Sequence, residues 1–165
     1  MEKKLAPMVL ACLLALCLYA AAQKAPPPTT SGGSGEALLN LDNTVAVHGY
    51  DPMAYFTQNR AIKGNKRINE RVGSATYYFH SRASRYEFLG NAPQYQPQLG
   101  GYCATSMSVG RLEDINPHIF TIYRGKLYLF RDAEAQGLFT ANPERTIREA
   151  IHNYFELAKQ KRERY

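Results

Sequence analysis

The chain holds three cysteines, Cys12, Cys17 and Cys103, and the last is the one placed to do chemistry. It stands in Leu99-Gly100-Gly101-Tyr102-Cys103-Ala104, where two glycines let backbone come close to a thiol and a phenol. With the other two cysteines assigned below to a leader, a lone thiol closes no intramolecular disulfide. Four roles are left: a buried small hydrophobe, a metal ligand, a nucleophile or an intermolecular link. A nucleophile would need His48, His80 or His118 as base and the amides near Gly100 and Gly101 as an oxyanion hole. No hydrolase signature surrounds Cys103, and no helix start that would lower its pKa is evident. As a metal ligand it would join His48, His80, Met53 and Met107, donors that suit copper or zinc better than calcium or magnesium. No two of these stand at a Cys-x-x-Cys or His-x-x-x-His spacing. Free cysteine is among the most buried residue types, so packing alone ranks first for Cys103.

Other chemistries find less support. Glu113-Asp114 precedes Ile115-Asn116-Pro117, which is turn composition, and Gly100-Gly101 lacks the spacing and the lysine of a phosphate loop. The aromatics, with 12 tyrosines and 7 phenylalanines, point to binding instead. Tyr50, Tyr55, Tyr78, Tyr95 and Tyr102 are expected to line an aromatic core with Cys103, opening into a pocket at Tyr50, Tyr102 and Cys103.

The elements that must position these residues begin after a leader. Glu2-Lys3-Lys4, an apolar run from Leu5 to Tyr19 and Ala20-Ala21-Ala22 form the pattern of a signal peptide cleaved after Ala22. Cys12 and Cys17 leave with it, and the run is too short for a spanning helix. The mature chain is therefore expected to be extracytoplasmic, periplasmic or secreted, with no membrane-spanning segment. Loss of Glu2, Lys3 and Lys4 takes the net charge from +6 to +5, and no basic block is dense enough for nucleic acid. Residues 23–37, rich in Pro, Thr, Ser and Gly, read as a linker. One folded domain follows over 38–165.

Within that domain Thr44 to His48 alternates as a strand, and Asp51 before Pro52 caps a short helix through Phe56. Thr76 to His80 is a strand, and Ser81 caps a helix with Ala83, Tyr86 and Phe88-Leu89 as its apolar face. Ile119–Tyr123 and Lys126–Phe130 form a hairpin around Arg124-Gly125. Asp132 caps a helix through Phe139, and Asn142-Pro143-Glu144 opens a long last helix. In that last helix Ile147, Ala150, Ile151, Tyr154, Phe155 and Ala158 draw one stripe toward the domain. The fold class is α+β.

Five segments in order then carry a resemblance from about Thr44 to Tyr154. They are His48-Gly49-Tyr50-Asp51-Pro52-Met53-Ala54-Tyr55-Phe56, Tyr77-Tyr78-Phe79-His80-Ser81, Asn91-Ala92-Pro93-Gln94-Tyr95-Gln96-Pro97, Gly100-Gly101-Tyr102-Cys103-Ala104 and Gly125-Lys126-Leu127-Tyr128-Leu129. The chain resembles an exported YHS domain protein, a family related to TRASH-like metal-binding domains. Metal-binding relatives carry cysteines at places that hold Ala54, His80 and Ser84 here. Of these only His80 remains a competent ligand, so the resemblance implies the fold with its thiolate site dismantled. A rebuilt soft-metal site would use Cys103 with His80 and His48. The expectation is a non-catalytic exported binding module for a soft metal ion or a small ligand. The alternatives are a thiol-dependent enzyme using Cys103 and a purely structural or interaction domain.

Overall fold

The computed structural model describes residues 37–164. The leader, its cleavage point and nearly all of the linker lie outside the described residues. Among these residues a mixed four-stranded sheet, an antiparallel hairpin and six α-helices make up an α+β domain. Strands β1 (Leu41–Asp42), β2 (Val45–Ala46), β3 (Asn65–Val72) and β4 (Ala75–Phe79) form a sheet of order β1-β2-β4-β3, with β2 parallel to β4. Strands β5 (Asn116–Tyr123) and β6 (Lys126–Phe130) form a separate hairpin. Arg124 and Gly125 at its tip both have positive φ, 51° and 70°, the handedness that matches the twist of a tight hairpin.

Helix starts follow local chemistry. Asp51 caps α1 (Pro52–Gln58) and accepts from the Met53 amide, while Ser81 caps α2 (Arg82–Gly90) through the Ser84 amide. A four-residue turn α3 (Ala92–Tyr95) and the short α4 (Ala104–Ser108) follow. Asp132 caps α5 (Ala133–Ala141) through Ala135, and Asn142 caps α6 (Pro143–Glu163) through Arg145. Each cap satisfies an amide that the helix leaves without an internal partner.

The core is aromatic, as composition implies. Phe88 packs against Tyr77 and Phe79 with ring centroids 5.0 and 5.2 Å apart, and Phe139 packs against Tyr128 and Phe130, both at 5.1 Å. Such pairs contribute about 0.5–1.5 kcal/mol each beyond the area they bury.

Three expectations are corrected. The strand at Thr44–His48 stops after Ala46, and Val47, His48 and Gly49 turn through positive φ of 51°, 50° and 74°. Side-chain bonds of His48 to two carboxylates hold this turn against the cost of left-handed backbone. In α2 only Ser84 and Phe88 face inward, whereas Ala83, Tyr86 and Leu89 are exposed. In α6 the buried positions are Thr146, Ala150 and Ala158, with Ile151 and Phe155 exposed. Small residues let α6 lie close on α4, which swings the larger apolar ones to the edge.

Candidate functional site

Asp51 is the most heavily engaged polar group near the family-like segments. Its carboxylate is wholly buried and accepts from the Met53 amide at 2.8 Å, the His80 amide at 2.9 Å and the Ser84 hydroxyl at 2.5 Å. The His80 ring donates to the same oxygen through Nδ1. On the far side of the ring, Gln58 Nε2 lies 3.2 Å from His80 Nε2, and Gln58 Oε1 accepts from Arg60 at 3.2 Å. With Gln58 in this orientation, a proton on Nδ1 and a lone pair on Nε2 would satisfy both contacts of the ring. A carboxylate-held imidazole of this kind is a common way to orient a base or a ligand. Here, however, the Ser84 hydroxyl donates to the carboxylate rather than facing the ring, so Ser84 is not placed as a nucleophile for this imidazole. Of the three places that the resemblance assigns to cysteines, the fold brings His80 and Ser84 onto one carboxylate and buries Ala54 completely.

His48 is elsewhere engaged. Its Nδ1 lies 2.6 Å from Asp42 and its Nε2 2.9 Å from Asp114. Both nitrogens face carboxylates, an arrangement that favours the imidazolium over the neutral ring. Partial burial opposes the charge, but the bond to Asp42 and the field and bond of Asp114 outweigh it, and the His48 pKa is raised. Asp114 also accepts from Asn40 at 2.8 Å, which ties the segment before β1 to the loop before β5.

Cys103 is fully buried in the core. Its backbone pairs with Glu113 at 3.0 Å and bridges to Leu129, and its sulfur is out of reach of any substrate. The neighbouring glycines serve a different approach from the one expected. A Cβ on Gly100 would lie 1.9 Å from the Leu38 carbonyl oxygen, and φ there is +65°, so only glycine lets residues 38–40 pass. Tyr102 and Tyr154 then donate to the carbonyls of Leu39 and Leu38 at 3.2 and 3.0 Å. Tyr50 sits apart: its hydroxyl is 3.2 Å from His118 Nε2, and Lys63 Nζ lies 4.6 Å above its ring.

His48, His80 and Cys103 thus each have separate partners, and among the described residues no three His, Cys, Asp or Glu side chains are grouped to hold a metal. Among the described residues, every buried side-chain nitrogen and oxygen also has a hydrogen-bond partner. No orphaned polar group marks a place for an ion.

A cavity of about 510 Å³ lies where β1 and β2 meet the β3–β4 turn and the Pro97–Gly101 segment. Leu39, Leu41, Val72 and Tyr154 supply an apolar wall, with Asn40 and Gln96 as polar points. Tyr77, also in the wall, is pushed up to about 12 by burial, against the effect of its hydrogen bond with Gln96. Neither Tyr50 nor Tyr102 nor Cys103 lines it. Sequence reasoning missed this cavity, although Gly100-Gly101 and Tyr77-Tyr78 were already singled out; its walls come from six separate stretches of chain that no spacing connects.

Comparison with known protein families, with curated proteins and with solved structures found no match to this chain.

Proposed function

We propose that this chain is an exported, non-catalytic binding module of YHS type, and that its ligand is a small, mainly apolar molecule held in the cavity beside Tyr77 and Gly100. The cavity itself carries this reading. Its volume of about 510 Å³ falls within the range of small-ligand sites, and an apolar wall with a few polar points is the usual lining of such sites. A soft-metal centre on Cys103, His80 and His48 has weaker support, because each of those side chains is committed elsewhere. A thiol enzyme has less, because Cys103 is sealed in the core.

The test uses a naphthalene sulfonate dye as probe, titrated by fluorescence into the folded chain and into Val72→Trp, which adds bulk to the cavity wall. Saturable one-to-one binding, weakened about tenfold or more by the tryptophan, supports the reading. Equal binding to both proteins overturns it. Metal analysis of the protein from its own compartment runs beside it, and stoichiometric copper or zinc would favour the metal reading instead.

A further inference from the structure

A second recess, of about 770 Å³, opens between the bulge of β3 and the first turn of α2. It is lined by Arg67, Ile68 and Asn69 from the strand and by Arg82, Arg85 and Tyr86 from the helix. We propose that this recess docks an acidic segment of a partner protein.

The charge is uncompensated in a specific way. Arg85 is satisfied, donating to Glu70 at 2.5 Å and to the Asn69 carbonyl at 3.0 Å. Arg67 and Arg82 are exposed and have no ion-pair partner among the described residues. Two free guanidinium forks over one recess match carboxylates, which take them in bidentate fashion. Between them Tyr86 is 80% exposed, the most exposed of the large hydrophobic side chains in the described domain. Tyrosine and arginine are the residues most enriched where protein partners bind tightly, and a tyrosine left bare costs apolar hydration that a partner would recover.

The backbone explains why side chains must do the recognition. β3 is an edge of its sheet, yet its bulge carbonyls are occupied: Asn69 O by Arg85, and Lys66 O by the Asn69 side chain at 2.8 Å. The Arg67 amide is likewise taken by the Asn65 side chain at 2.9 Å. At the bulge an added strand would find these three groups taken, so this stretch of the edge favours recognition by side chains. The recess is broad and open to solvent, which fits a protein surface better than an enclosed small molecule.

The experiment titrates the isotope-labelled folded chain with a short peptide of alternating glutamate and aspartate, following amide shifts. The expected result is a set of shifts confined to Arg67–Asn69 and Arg82–Tyr86, with affinity falling about tenfold or more in Arg67→Glu/Arg82→Glu. Tyr86→Ala, which changes no charge, should also weaken binding several-fold while leaving the melting temperature unmoved. Shifts spread equally over Arg145 and Arg148, or affinity unchanged in the double variant, would overturn the proposal. So would absence of binding, or tighter binding of inorganic phosphate, duplex DNA or phosphatidylglycerol vesicles at the same residues.

Discussion

Asp51 accepts two hydrogen bonds from His80, one from its backbone amide and one from its ring, although 29 positions separate them in the chain. The same carboxyl group caps α1 and binds Ser84 in α2, so three elements meet on one buried side chain. This is a structural pin that joins the starts of α1 and α2 to the end of β4.

Asp51→Ala should therefore cost about 3 kcal/mol or more, because it strands the buried Met53 amide and Ser84 hydroxyl and the half-buried His80 amide together. Asp51→Asn, which keeps an acceptor for the Met53 amide, should cost less. Denaturant melts of the two variants check the order.

Stability should depend on pH through His48. Its folded pKa is raised, so the stabilisation from Asp42 and Asp114 is fully present below the unfolded value of 6.5 and is lost as pH rises through the raised folded value. The ring is mostly covered, but the Asp42 and Asp114 carboxylates are 57% and 64% exposed, so solvent screening keeps the effect modest. Thermal melts from pH 5 to pH 9 should show this loss in the native chain and a flatter profile in His48→Gln. An unchanged slope in the variant would count against the imidazolium.

Cys103 should react with iodoacetamide only as the chain unfolds, since it is wholly buried. Cys103→Ser, which places a hydroxyl in that apolar site, should cost about 1–3 kcal/mol. Quick labelling of the folded protein at neutral pH would contradict this packing.

Gly100→Ala should release residues 38–40 from the Pro97–Gly101 segment, since a methyl there meets the Leu38 carbonyl oxygen. Hydrogen exchange at the Asn40 amide, which donates to Gly100 O at 2.9 Å, should speed up markedly. The cavity probe should bind more weakly in the same variant.

The helix caps were legible because capping is local: Asp51, Ser81, Asp132 and Asn142 each act on an amide two or three residues on. The hairpin tip was legible for the same reason. Faces were less so, since periodicity groups Tyr86 with Phe88 and Phe155 with Ala158 without saying which neighbour covers them. The left-handed turn at Val47–Gly49 and the cavity were beyond reach, because both depend on approaches between distant stretches, Gly49 to Tyr78 and Gly100 to Leu38. For the site, His80 and Ser84 were marked as positions, but their shared carboxylate was read only as a cap.

The bond from Tyr154 to the Leu38 carbonyl spans 116 positions and stitches the start of the described domain to its last helix. A contact of such separation gains nothing until most of the chain is in place, so it belongs to the final stage of folding. Its closure also sets the two ends of the domain side by side, which is the geometry a circular permutant requires.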